Sequence, residues 1–174
     1  MLKRPEKAGF TLVEVLLSLA ITAALLAAVA AAVKGSLDSY TENEKIAAGA
    51  QAARHVLNRL MQDIRTADAV DASALGVTII PPAETGVSLI TYDCPGDGTL
   101  RCNKTYAAGG EEDTVLLGGN GRFTVDQFTA YAQMAQDGEG EWFTARVTLR
   151  LEFTVDDRTT AITTSAAPRR NQDY

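Results

Sequence analysis

Few residues in this chain are of a type and spacing that could do chemistry. Cys94 and Cys102 are the two cysteines, eight residues apart in Asp93-Cys-Pro-Gly-Asp-Gly-Thr-Leu-Arg-Cys102. In an exported protein the default reading is a disulfide closing a short loop, worth roughly 2.5 kcal/mol in the chain-entropy model. In a reducing compartment they are two free thiols. No further Cys and no nearby His completes a zinc ligand set. The single histidine, His55, falls beside the apolar stripe of a helical segment, a place for a structural or solvent-facing imidazole rather than a catalytic one. The acidic runs Glu111-Glu-Asp113 and Asp137-Gly-Glu-Gly-Glu141 carry oxygens that suit Ca²⁺. Such runs are ordinarily solvated loops, so no metal and no cofactor is assigned. Nucleophile elbows, phosphate loops and zinc signatures are missing from the sequence, which argues against an enzyme. The anomaly is Glu14, the lone charge in the 24 residues from Phe10 to Val33. A carboxylate within a membrane segment costs on the order of a few kcal/mol, so it needs a partner or a short path to water.

The elements that must position these residues follow from composition and periodicity. Residues 10–33 are mostly good helix formers without Pro or Gly, and as a helix they span ~36 Å, enough for a bilayer core. Beyond Lys34, apolar residues recur at Val56/Leu57, Leu60/Met61 and Ile64, one buried stripe. Arg54, Asn58, Arg59, Gln62, Asp63 and Arg65 lie opposite. One helix is expected from Phe10 to Asp68, weakened at Gly35 and Gly49. It is apolar all round in its first half and one-sided in its second, so the first half meets lipid or neighbouring subunits and the second packs on its own domain. After Ala72 the period becomes two. Strands are expected at Gly76–Ile80, Val87–Tyr92, Lys104–Tyr106, Thr114–Leu117, Arg122–Tyr131, Ala145–Val155 and Thr159–Thr164. Residues 145–155 alternate most clearly, with Val147, Leu149, Leu151 and Phe153 on one face, the mark of an antiparallel sheet with one wet side. The fold class is therefore α+β: a long N-terminal helix packed on an antiparallel β-sheet head. Its divisions are a leader at 1–9, a transmembrane helix at 10–33, an amphipathic continuation at 34–70 and a β-rich head at 71–174.

Charge is distributed to match. In the first nine residues Lys3, Arg4 and Lys7 outweigh Glu6 by two, so the remainder carries -8 against -6 for the whole chain. A basic end retained in the cytoplasm and an acidic exported body fit a membrane-inserted protein. The acidic balance and the lack of a basic, aromatic-interleaved face exclude a nucleic-acid binder.

The stretch Lys7-Ala-Gly9-Phe10-Thr-Leu-Val-Glu14, followed by the apolar run, resembles the class III leader of type IV prepilins and type II secretion pseudopilins. The resemblance covers about thirty residues. It implies cleavage between Gly9 and Phe10 by an inner-membrane prepilin peptidase, which then N-methylates Phe10. Gly9 suits the crowded, extended backbone of a peptidase site. It further implies that Glu14 pairs with the N-terminal amine of a neighbouring subunit inside a filament, where solvent exclusion strengthens the attraction. The implied partners are the prepilin peptidase, other pilin or pseudopilin subunits and the inner-membrane assembly platform, with a cytoplasmic ATPase supplying power. The implied location is a single pass of the inner membrane with the head in the periplasm, then the filament. One departure is Ala31, where many major pilins have a helix-breaking Pro. Arg59-Leu-Met-Gln-Asp-Ile-Arg65, the strand-rich head and Pro168-Arg-Arg-Asn171 are similar to the J/W class of minor subunits.

Other readings compete. Ala28-Val29-Ala30 and Ala30-Ala31-Ala32 offer small-x-small sites for signal peptidase, which would release a soluble periplasmic β-rich binding domain. The apolar run is longer than a usual signal core and holds Glu14, which weighs against this. A single-pass anchored adhesin or sensor needs the anchor but has no use for Gly9-Phe10 or Glu14.

Overall fold

Helix formation begins at a cap. In the computed structural model, which describes residues 9–119, 123–136 and 138–168, α1 spans Leu12–Thr66. Thr11 precedes it, and its carbonyl accepts from the N–H groups of Glu14 and Val15 at 3.1 and 3.2 Å. The helix passes Ala31 and Gly35 without interruption. The described residues form two compact units that divide between Glu44 and Lys45. In the first, residues 9–41 are exposed throughout, including Leu12, Val13, Leu16, Leu19, Leu25 and Leu26.

In the second unit α1 buries one stripe, Gly49, Ala53, Val56, Leu57, Leu60 and Ile64, at the three- and four-residue spacing of a helix face. Gly49 belongs to this contact. A Cβ there would lie 2.8 Å from Val155 Cγ2 and 3.2 Å from the Phe123 ring. The residue expected only to weaken the helix is thus a point of close approach between helix and sheet. Gly35 has nothing within 4 Å.

The helix stops at Thr66, two residues before the expected Asp68, because Asp68 N–H donates to the Ile80 carbonyl at 2.9 Å instead of continuing the helical ladder. A strand missing from the sequence reading follows: β1 (Ala69–Ser73) pairs antiparallel with β2 (Gly76–Ile80). A short 3₁₀ turn at Ala83–Thr85 leads to β3 (Val87–Asp93), β4 (Thr99–Tyr106) and β5 (Glu111–Gly118), completing a five-stranded sheet in sequence order. β4 starts earlier than expected, so Cys102 stands on a strand, not in a loop. Glu111–Asp113, expected in a loop, open β5.

β6 (Phe123–Gln136), β7 (Trp142–Val155) and β8 (Arg158–Ala166) form a second, three-stranded antiparallel sheet. β7 buries Val147, Leu149, Leu151, Phe153 and Val155 in strict alternation, as its pattern dictates. The two-residue turn after it places Asp156 at φ 51°, a left-handed conformation Asp tolerates, and Lys45 Nζ pairs with its carboxylate at 3.0 Å. Both sheets and the stripe of α1 share one core, in which Phe123 and Phe153 stack with centroids 4.9 Å apart. Where β5 ends, a Cβ on Gly118 (φ 86°) would lie 2.1 Å from the Gly98 carbonyl oxygen, so only glycine fits. Lys3, Arg4 and Lys7 of the expected leader, and Arg169, Arg170 and Asn171, lie outside the described residues.

Candidate functional site

The junction expected to be processed comes first among the described residues. Gly9 and Phe10 are exposed and stand outside the helix, Phe10 at 80% exposure, and no atom crowds the Gly9 Cα from the Cβ side. Exposed backbone next to a terminus, with no ladder to break, is the kind proteases enter. The small-residue runs around residues 28–32 lie inside α1.

Glu14 sits in the first turn of α1. Its N–H donates to Thr11 Oγ1 at 3.3 Å, so Thr11-Leu-Val-Glu14 forms the N-cap half of a capping box. A carboxylate at this position also faces the positive end of the helix dipole. Glu14 therefore has a local reason to be acidic beside any role between subunits. The Thr-x-x-Glu spacing signals it in the sequence, and the sequence reading missed it. From Leu12 to Val33 the large side chains following it are exposed, giving an apolar helical surface long enough to cross a membrane.

In the head, Cys94 and Cys102 stand as two free thiols. Tyr92 lies opposite Cys102 in the ladder between β3 and β4, and Cys94 directly follows the last residue of β3. Cys94 Sγ points toward the Val125 carbonyl at 3.9 Å, whereas Cys102 is buried. Burial pushes the Cys102 thiol up, the direction of an unreactive cysteine.

Cys102 belongs to a polar cluster between helix and sheet. Tyr92, fully buried, donates its hydroxyl to Asp63 Oδ2 on α1. Burial first, then the hydrogen bond to and charge of Asp63, raise the Tyr92 pKa far above its ordinary range. The helical pattern puts Asp63 on the wet face, yet in the structure it is half-buried. Its partner is 29 residues away, and no local pattern announces the pair.

A second cluster joins the loop before β4 to β5. Asp97 accepts from Thr99 N–H at 3.0 Å and from its hydroxyl, and Arg101 bridges Asp97 at 2.6 Å and Asp113 at 2.9 Å. The Thr99 hydroxyl, then Arg101, hold the Asp97 carboxyl below its usual range. Tyr106 donates to Glu112 at 2.6 Å, which lowers the Glu112 pKa. Two of the acids first weighed as calcium ligands are thus engaged by Arg101 and Tyr106. His55 is exposed on α1.

A family model described as the prokaryotic N-terminal methylation motif matches residues 4–30. Comparison with curated proteins and with solved structures gave no match. The match takes in Gly9, Phe10, Glu14 and most of the apolar run, and the head lies beyond it. This chain carries a prokaryotic N-terminal methylation motif at the start of a long apolar helix that leads into an antiparallel β-sheet head, an arrangement consistent with a type IV prepilin or pseudopilin.

Proposed function

We propose that the protein is a structural subunit of the minor pilin or pseudopilin kind, and that it helps initiate or build a type IV pilus or a type II secretion pseudopilus. Prepilin peptidase cuts between Gly9 and Phe10 and methylates the new Phe10 amine. The apolar helix is kept, holds the subunit in the inner membrane with its head in the periplasm, and then packs among other subunits. Glu14 receives the amino end of a neighbour, while Thr11 still caps its own helix, because the cut leaves that residue in place. The assembly platform and its ATPase act on the subunit from the cytoplasmic side, as the resemblance implies.

The observation that carries this reading is the junction itself: an exposed, non-helical Gly9-Phe10 within a methylation motif, followed by an uninterrupted apolar helix with its side chains outward. A released periplasmic domain would require a cut inside α1. Intact-mass analysis of membrane-extracted protein is the test. The expected species begins at N-methylated Phe10; a soluble species beginning near residue 31 or 33 would sink the proposal.

A further inference from the structure

We propose that the free edge of β8 is a pairing surface for a second copy of this chain, with two β8 strands meeting antiparallel so that their three-stranded sheets become one of six. Each sheet has two outer strands, and three of the four carry devices that discourage strand addition. β1 has five residues, contains Asp71, and its Val70 carbonyl accepts from Thr144 Oγ1 at 3.1 Å. β5 opens with Glu111, Glu112 and Asp113, and its register with β4 breaks at Leu100/Arg101. β6 carries an extra residue, Asp126, between Val125 and Gln127, its register with β7 shifts again at Gln133/Met134, and its Val125 N–H donates to the Gly98 carbonyl at 2.9 Å.

β8 differs on every count. It has nine residues, its register with β7 is unbroken from Arg158 to Ala166, and it contains no proline. From residue 159 to 166 it is uncharged and rich in β-branched Thr and Ile. Among the described residues β7 is its one strand neighbour, so on its other side alternate backbone N–H and C=O groups form a template for another strand. Its inward side chains are already occupied: Ile162 packs against the core and Thr164 Oγ1 donates to Met61 Sδ.

The strand's own sequence favours a second copy as the occupant. Antiparallel pairing about Ile162 sets Thr160 against Thr164, Thr159 against Ser165, Ala161 against Thr163 and Arg158 against Ala166 of the other copy. Thr160 faces Thr164 and Thr159 faces Ser165, favourable cross-strand pairs, and no charge opposes a like charge. The contact is isologous and closes on itself as a dimer. It involves only the head and is independent of any cut at Gly9.

The test uses the full chain in detergent micelles. Ala161 and Thr163 are exposed, and in this register each opposes the other residue across the dyad. Ala161→Lys/Thr163→Lys therefore sets lysine against lysine, and Ala161→Glu/Thr163→Glu sets glutamate against glutamate. Light scattering after size exclusion should find the wild type dimeric, each double variant at least tenfold weaker in self-association, and an equimolar mixture of the two variants dimeric again. Circular dichroism checks that both fold; the single Thr163→Lys and Thr163→Glu chains serve in the same mixing scheme should a double variant unfold. A monomeric wild type, variants that dimerise as strongly as the wild type through the apolar helix, or a mixture that stays monomeric would each overturn the proposal.

Discussion

The Tyr92–Asp63 contact offers a sharp test of how the head is held to its helix. Tyr92→Phe keeps the ring and removes only the hydroxyl that Asp63 accepts. The ring is fully buried, so packing is nearly unchanged. A hydrogen bond to a charged group contributes about 1.5–3 kcal/mol, and a half-buried Asp63 left without its donor cannot regain full hydration. The variant should lose about that much stability at pH 7, which at ordinary urea sensitivity lowers the midpoint by about 1 M. The second signature is in alkali. The Tyr92 pKa is raised in the folded state, by burial first and by Asp63 second, so the folded protein keeps this proton when the unfolded chain gives it up. The stabilising contribution is therefore intact below about pH 10, the unfolded value for tyrosine, and falls above it by about 1.4 kcal/mol per pH unit. Tyr92→Phe should lack that fall. Tyr106 and Cys102, shifted in the same direction, remain in the variant and give it a shallower residual slope. Urea unfolding followed by circular dichroism from pH 7 to 11 measures both effects. A variant within 0.5 kcal/mol of wild type at pH 7 (a margin set by ordinary surface substitutions), or one with the wild-type slope above pH 10, would refute the reasoning.

Other outcomes follow from equally local contacts. Gly49→Ala gains helix propensity of about 1 kcal/mol but drives a methyl against Val155 and Phe123, an overpacking cost of about 1–3 kcal/mol, whereas Gly35→Ala gains propensity with nothing in its way. Thermal melts should therefore rank Gly35→Ala above Gly49→Ala, and the reverse order would contradict the close approach of α1. Glu14→Ala should leave membrane insertion intact and impair association with other subunits, read by cross-linking in membranes; unaltered cross-linking would count against the pairing. Without reductant, both cysteines should alkylate once the chain is unfolded, Cys94 reacting first in the native protein because Cys102 is buried. A product lacking both labels would mean that the two sulfurs are bonded.

The sequence by itself determined the parts of this protein that rest on local pattern. The apolar run, the stripe Val56, Leu57, Leu60 and Ile64, and the alternation along β7 were legible because helix and strand periods are properties of neighbouring residues. The Gly9-Phe10-Glu14 motif was legible for the same reason, its spacing being contained in one short segment. What only the tertiary structure decided depends on residues far apart in the chain. The end of α1 at Thr66 turns on a backbone bond from Asp68 to Ile80, and β1 exists because β2 is there to pair with it. Asp63 left the wet face of its helix because Tyr92 reaches it across the core. Strand register sets Tyr92, not Cys94, against Cys102. Short spacing in sequence said that the cysteines were near; the pleated ladder decided which side chains met.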